Sequence, residues 1–224
     1  MANKKKKAKK RQQIRAKRAA KSKQRAKKKP SFSLFRKAPS LNEASRWPLM
    51  ECLMNENWRD TNQLTQIIVA RQNSEGHVAI GAFLIDLACL GAKNAMTATF
   101  SSASEYRREY RQRLMETQEL APADLNLAAK IIDEGVKYAK NLGLKPNKDL
   151  RKTMKMLGDA RAEDAPETIP VGGKDGKPLF IAGPYDNTDR ILKILDRNVG
   201  PGNYDFILPV PPDQFGDFEE FEDL

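Results

Sequence analysis

The sequence predicts an α+β fold in which two β-hairpin regions pack with about four helices, flanked by disordered tails. Apolar runs at 67–71 and 77–87 surround the turn-forming residues 73–76, which is the pattern of a hairpin. Residues 102–157 carry apolar side chains at helical spacing, and a second β segment follows at 169–182. Strands and helices are therefore grouped along the chain rather than alternating, which is typical of α+β proteins.

The first β region is expected to end early. Residues 67–71 predict one strand and residues 77–87 a second, in which Gly81 marks a bulge or a close backbone approach. Leu90 and Gly91 are expected to close this region. Residues 49–58 are mostly apolar and fit either a strand or a helix.

Three helices are expected in the centre of the chain. Ser102 or Ser104 caps a helix that runs to about residue 114. The clearest helix covers 124–141, between Pro122 and Gly143. A shorter one runs from residue 147 or 148 to residue 157.

The second β region is predicted as a hairpin. Residues 169–171 and 178–182 flank the sequence GGKDGK, which is expected to form the turn. GGKDGK lacks the spacing of a phosphate-binding loop and precedes a strand rather than a helix. A helix starting at residue 187 or 188 and ending at 198, then a strand at 204–208, complete the prediction.

Charge divides the 224-residue chain into segments. The net charge is +11, yet residues 1–29 hold 16 Lys and Arg with no acid, and residues 213–224 hold six acids with no base. The rest carries a net charge of only +1. We therefore expect a disordered basic arm at 1–29, a linker at 30–47, a single domain at 48–210 and a disordered acidic Phe-rich tail at 211–224.

The basic arm is expected to bind nucleic acid, with RNA favoured. Lysines and arginines neutralise phosphates, and the arm has no aromatic residue for stacking on bases, which favours contact with the backbone alone. A membrane-surface role, nuclear targeting and a solvated tail without a partner stay open. The acidic tail is a possible site for a protein partner. The cations of the arm are Lys4, Lys5, Lys6, Lys7, Lys9, Lys10, Arg11, Arg15, Lys17, Arg18, Lys21, Lys23, Arg25, Lys27, Lys28 and Lys29.

Asp86, Cys89, Lys93 and the adjacent Asn94 form the one cluster with catalytic potential. Lys93 would activate Cys89 as a nucleophile. The alternative is a buried core cysteine with Lys93 in solvent, which is the commoner situation. The single histidine, His77, lies beside a predicted turn. No cofactor and no metal site are predicted, because one histidine and two separated cysteines do not make a zinc site.

A helix surface and a family resemblance complete the sequence evidence. Arginines at 107, 108, 111 and 113 form either a second nucleic-acid face or a solvated surface diluted by glutamates. The segment D-x-x-C-L-G-x-K, at 86–93, resembles a family of uncharacterised bacterial proteins over roughly residues 48–207. That resemblance implies a bacterial setting and a whole domain, but no activity.

The leading hypothesis is a non-enzymatic RNA-binding or ribosome-associated protein in the cytoplasm, without membrane contact. No apolar run spans a bilayer and no signal peptide is evident. One alternative is an enzyme acting on nucleic acid or a nucleotide, with its site near Asp86, Cys89 and Lys93. The other is a protein-interaction module.

Overall fold

A computed structural model describes residues 40–208, which form an α+β domain. Helix α2, at 103–115, contains a π-helical turn at Arg107–Arg111. Helix α4 continues as a 3-10 turn over Met154–Leu157. The elements are α1 Leu41–Ala44, β1 Leu49–Asn55, β2 Thr65–Gln72, β3 Val78–Asp86, β4 Gly91–Phe100, α2 103–115, β5 Leu120–Pro122, α3 Leu125–Asn141, α4 Leu150–Thr153, β6 Leu179–Ile181, α5 Thr188–Asn198 and β7 Asp205–Ile207.

The main sheet has five antiparallel strands in the order β4-β3-β2-β1-β5. The predicted hairpin of β2 and β3 is confirmed. Its turn is closed by Gly76, whose N–H donates to the carbonyl of Asn73 at 3.1 Å. The Asn73 side chain also accepts from the N–H of His77 at 2.8 Å. Gly81 is a close-approach point, since a Cβ there would lie 2.7 Å from the Cβ of Met156.

Helices cover both faces of this sheet. Alternate strand residues such as Val69 and Phe83 pack against α3 and the segment 150–157. Their neighbours, such as Ile68 and Ile80, pack against the opposite layer, α2. This alternation follows from the two-residue period of a β-strand. Helix α3 matches its prediction and begins at Asp124, whose carboxylate accepts from two backbone N–H groups.

A smaller β-α-β unit follows the sheet in the chain. Strands β6 and β7 pair in parallel, with α5 as the connection between them. Phe180 of β6 and Leu195 of α5 are fully buried with residues from the second half of α3. Helix α5 and strand β7 agree with the predicted elements at 187–198 and 204–208.

Two of the predicted β features are corrected. The first region does not close at Gly91, because residues 91–100 form β4. The second hairpin is wrong, since its two flanks do not pair with each other. The N–H of Gly172 donates instead to the carbonyl of Leu87, and that of Leu179 to Ala88. GGKDGK forms a short 3-10 turn over Lys174–Gly176.

The folded domain begins before residue 48. Residues 41–44, assigned to the linker from sequence, form α1, which is capped reciprocally by Ser40 and Glu43. Ala44 is fully buried beside Ala79 and Met156. The guanidinium of Arg71 fastens this segment further, by donating to the carbonyl of Trp47 at 2.8 Å. Within residues 40–208, no helix is long and apolar enough to cross a bilayer.

Candidate functional site

Asp86 organises the turn between β3 and β4. Its Oδ1 accepts from the backbone N–H groups of Ala88 and Cys89, each at 2.9 Å. The residue is only 5% exposed. Burial raises the pKa of this carboxyl above its usual value, because water no longer stabilises the charge, although the backbone hydrogen bonds act in the opposite direction. These contacts give Asp86 a structural role, because they stabilise a buried turn.

Cys89 lies inside the apolar cluster of the smaller unit. Its surroundings include Phe180 and Leu195, and no part of its surface is exposed. Burial raises the pKa of the thiol, and the nearby Asp86 adds to that effect more than Lys93 reduces it. A buried, protonated thiol is a poor nucleophile, so this environment argues against Cys89 as an activated cysteine.

Gly91 lets β4 begin directly against helix α3. Its φ is +64°, in the left-handed region, and a Cβ at this position would lie 2.6 Å from the carbonyl oxygen of Gly135. Two glycines thus meet where the strand and the helix touch. The glycine of the D-x-x-C-L-G-x-K segment is required by both backbone conformation and space.

Lys93 is held in an ion pair rather than standing free in solvent. Its Nζ donates to Oδ2 of Asp186 at 2.6 Å, and the two side chains are 18% and 12% exposed. The same oxygen of Asp186 accepts from the N–H of Gly183 at 2.8 Å. The pair ties the loop before α5 to the beginning of β4. Asp186 lies 93 residues from Lys93 in the sequence, and no sequence motif indicates that the two residues form an ion pair.

A cleft of about 390 Å³ opens beside this ion pair. The start of β4, the loop at 143–147 and the first half of α5 form its walls. The volume is in the range of about 300–1,000 Å³ that is usual for small-molecule sites. The lining residues are Leu90, Ala92, Lys93, Gly143, Leu144, Lys145, Pro146, Asn147, Asp186, Asn187, Arg190, Ile191 and Ile194.

Two further cations give the cleft a positive charge. Lys145 and Arg190 are exposed, and within residues 40–208 neither has a carboxylate closer than 4 Å. The loop that carries Lys145 is fixed by Asn147, whose N–H donates to the carbonyl of Ala92 at 2.9 Å. Since Asp186 balances Lys93, the lining carries a net charge of +2.

The predicted cluster is brought together, but only part of it reaches the cleft. Asp86 and Cys89 lie beneath the surface, whereas Lys93 lines the cleft. The side chain of Asn94 accepts from the N–H of Ala95 at 2.9 Å. His77 precedes the nine-residue strand β3, which is about 30 Å long at 3.3 Å per residue, and Cys89 follows its other end, so the two cannot form a pair.

The arginines of α2 are mostly paired with acids. Arg108 and Arg113 both contact Glu109, at 2.9 and 3.0 Å, and Arg111 contacts Glu51 at 3.2 Å. These contacts favour the solvated-surface interpretation over a second nucleic-acid face. The basic arm and the acidic tail lie outside residues 40–208. Among the described residues, no three His, Cys, Asp or Glu side chains are placed to hold a metal ion.

Lys145 and Arg190 were missed as site residues from sequence. They are 45 positions apart, on a loop and on a helix. Only the fold brings them to one cleft. No protein-family model, no curated protein and no solved structure matches the chain. The resemblance carried by D-x-x-C-L-G-x-K stays an expectation.

Proposed function

We propose that the protein is a non-enzymatic nucleic-acid-binding protein, with RNA as the favoured partner, which residues 1–29 anchor through phosphate contacts. The observation that carries this proposal is the charge of the arm. It has 16 lysines and arginines, no acid and no aromatic residue, next to segments that are close to neutral or acidic. The proposal assigns the protein to the cytoplasm, in association with the ribosome or another structured RNA.

The physical basis is the release of counterions from the nucleic acid. Each phosphate that a lysine or arginine neutralises frees condensed cations, so affinity falls as salt rises. An arm that makes about 6–10 phosphate contacts would lose about 10³–10⁵ in affinity between 50 and 200 mM salt. Such contacts position a protein without reading sequence. The arm therefore supplies attachment, and selectivity has to come from elsewhere in the chain.

An enzyme centred on Asp86, Cys89 and Lys93 has less support. The thiol is buried and protonated, and Asp86 is engaged with the backbone of its turn. The Lys93 ammonium is paired with Asp186. These contacts describe a segment that builds the floor of the cleft.

Sedimentation of cell lysate through a density gradient tests the proposal. The full chain is compared with a variant whose 16 arm cations are all replaced by Gln, here called the Gln-arm chain. A second variant with a scrambled arm keeps the composition and serves as the matched control. The wild-type and scrambled chains should comigrate with ribosomes at low salt and leave them at high salt.

The Gln-arm chain should sediment as a free protein at both salt concentrations. Nuclease treatment and anionic vesicles distinguish the remaining alternatives. Binding that survives nuclease indicates a protein partner, and equal binding to vesicles indicates a general affinity for anionic surfaces. Either outcome, or comigration of the Gln-arm chain with ribosomes, would overturn the proposal.

A further inference from the structure

We propose that the cleft lined by Lys93, Lys145 and Arg190 binds a single nucleotide unit. Its phosphate would lie between Lys145 and Arg190, and its base against the apolar walls. The charge and the apolar walls of the cleft are the basis for expecting a ligand that is anionic and partly apolar. The choice of a nucleotide over another phosphate ester rests on the proposed function. The cleft is formed by residues between 90 and 194, whereas the arm comprises residues 1–29.

The charge of the cleft selects an anion. Lys145 projects from one wall and Arg190 from the other, and no carboxylate within residues 40–208 approaches either side chain within 4 Å. Arginine suits phosphate because its planar guanidinium donates two parallel hydrogen bonds to it. Lys93, by contrast, is committed to Asp186 at 2.6 Å. That pair fixes the loop in front of α5.

The walls of the cleft suit a flat, weakly polar group. Leu144 and Pro146 line one side, and Ile191 and Ile194 line the other. A ligand that is only an inorganic anion would leave these surfaces unused. Tyr185 precedes the cleft-lining Asp186 and is 98% exposed. An aromatic ring in that position is suited to stacking on a neighbouring base of a single strand.

Amide chemical shifts in the full-length Gln-arm chain test this inference. The neutral arm removes attraction of the ligand to residues 1–29, and the shifts identify the residues affected. The probes are adenosine 5′-monophosphate, uridine 5′-monophosphate, ribose 5-phosphate and inorganic phosphate, titrated at one ionic strength. The nucleotides should give saturable shifts at Lys93, Lys145, Asn147 and Arg190. The sugar phosphate and inorganic phosphate should bind at least fivefold more weakly.

Substitutions then locate the phosphate. The double variant Lys145→Gln with Arg190→Gln should weaken nucleotide binding at least tenfold. Both residues are exposed, and retention of the remaining amide spectrum verifies the fold. The matched control, Lys193→Gln with Arg197→Gln, removes two cations from α5 that do not line the cleft, and its affinity should stay within twofold.

Three results would overturn the inference. The first is that the nucleotides cause no saturable shifts in the cleft. The second is that the Lys145/Arg190 double variant binds the nucleotides as tightly as the Gln-arm chain with an unchanged cleft. The third is ribose 5-phosphate binding as tightly as the nucleotides, which would remove the base from the ligand. None depends on the arm, because the arm is neutral in this experiment. Failure of the proposed anchoring function would show separately, in the gradient.

Discussion

Gly91 is the position where the structure makes the sharpest prediction about stability. Substitution of Gly91 by Ala places a side chain on a residue with φ of +64°, which costs about 1–2 kcal/mol for a residue with a Cβ. The new Cβ would also lie 2.6 Å from the carbonyl oxygen of Gly135 and 2.7 Å from the Cβ of Ala139. Crowding of this kind costs about 1–3 kcal/mol. We expect Gly91→Ala to lower the free energy of unfolding by about 2–5 kcal/mol.

Gly76→Ala is the matched control for this substitution. Gly76 also has a positive φ, of +88°, but a Cβ there would meet no atom within 4 Å. Only the backbone cost of about 1–2 kcal/mol therefore applies. The difference between the two variants measures the contact between β4 and α3. It should be about 1–3 kcal/mol, with Gly91→Ala the less stable variant.

Urea-induced unfolding followed by circular dichroism and tryptophan fluorescence provides the assay. The chain has two tryptophans, of which Trp58 is 5% exposed and so reports on the core. The dependence of the unfolding free energy on urea should be the same in both variants, since neither changes the surface exposed on unfolding. If Gly91→Ala and Gly76→Ala lose equal stability, the close approach of β4 and α3 is not what requires Gly91.

Three further outcomes are expected. Because burial raises the native pKa of Asp86, the folded chain binds that proton more tightly than the unfolded chain, so stability declines as pH rises above about 3.9, the ordinary Asp pKa. The unfolding free energy of the wild type, measured relative to that of Asp86→Asn, should therefore fall between pH 4 and pH 7. A rise of this difference would contradict the prediction. Burial raises the pKa of both thiols, that of Cys52 to about 12. Cys52 and Cys89 should therefore react with iodoacetamide at pH 8 only under denaturing conditions. Fast alkylation of Cys89 in the native protein would instead support the enzyme alternative. Deletion of 213–224 should raise nonspecific RNA affinity at low salt, because six negative charges no longer compete for the arm, and unchanged affinity would remove that role from the tail.

Local sequence signals were sufficient for the fold class and for most elements. The helix at 124–141 has a strong apolar stripe, a capping Asp124 and a terminating Gly143, all of which lie within the segment itself. The hairpin of β2 and β3 likewise depends on the turn at 73–76. Such features arise from neighbouring residues, so they can be predicted without knowledge of the tertiary structure.

Elements that depend on distant partners could not be predicted in this way. The first half of strand β4, residues 91–95, consists of Gly, Ala, Lys and Asn, which have weak strand propensity, and it forms because β3 offers a long edge for pairing. Gly172, the first residue of GGKDGK, and Leu179, shortly after it, donate hydrogen bonds to the carbonyls of Leu87 and Ala88, which lie 85 and 91 residues earlier in the chain. A turn signal alone therefore gave the wrong pairing there.

The cleft shows the same limit for a functional site. The segment 86–93 contains an acid, a thiol and a lysine that predict a catalytic cluster, but in the structure most of those groups stabilise the fold. The cations available to a ligand, Lys145 and Arg190, carry no motif and become neighbours only when the loop at 143–147 and α5 pack beside β4. Apart from Lys93, the residues that carry a chemical signal in the sequence are therefore not the residues that line the cleft.

The salt dependence of RNA affinity measures the contribution of the basic arm most directly. Fluorescence anisotropy with one structured RNA, between 50 and 400 mM salt, gives the slope of log K against log salt for the wild-type, scrambled-arm and Gln-arm chains. The wild-type and scrambled chains should share a steep negative slope, of magnitude about 5–9 if six to ten phosphates are contacted at the slope per phosphate of a duplex. The Gln-arm chain should have a slope near zero and little affinity. A shallow slope for the wild type, or equal affinity in the Gln-arm chain, would contradict anchoring by residues 1–29.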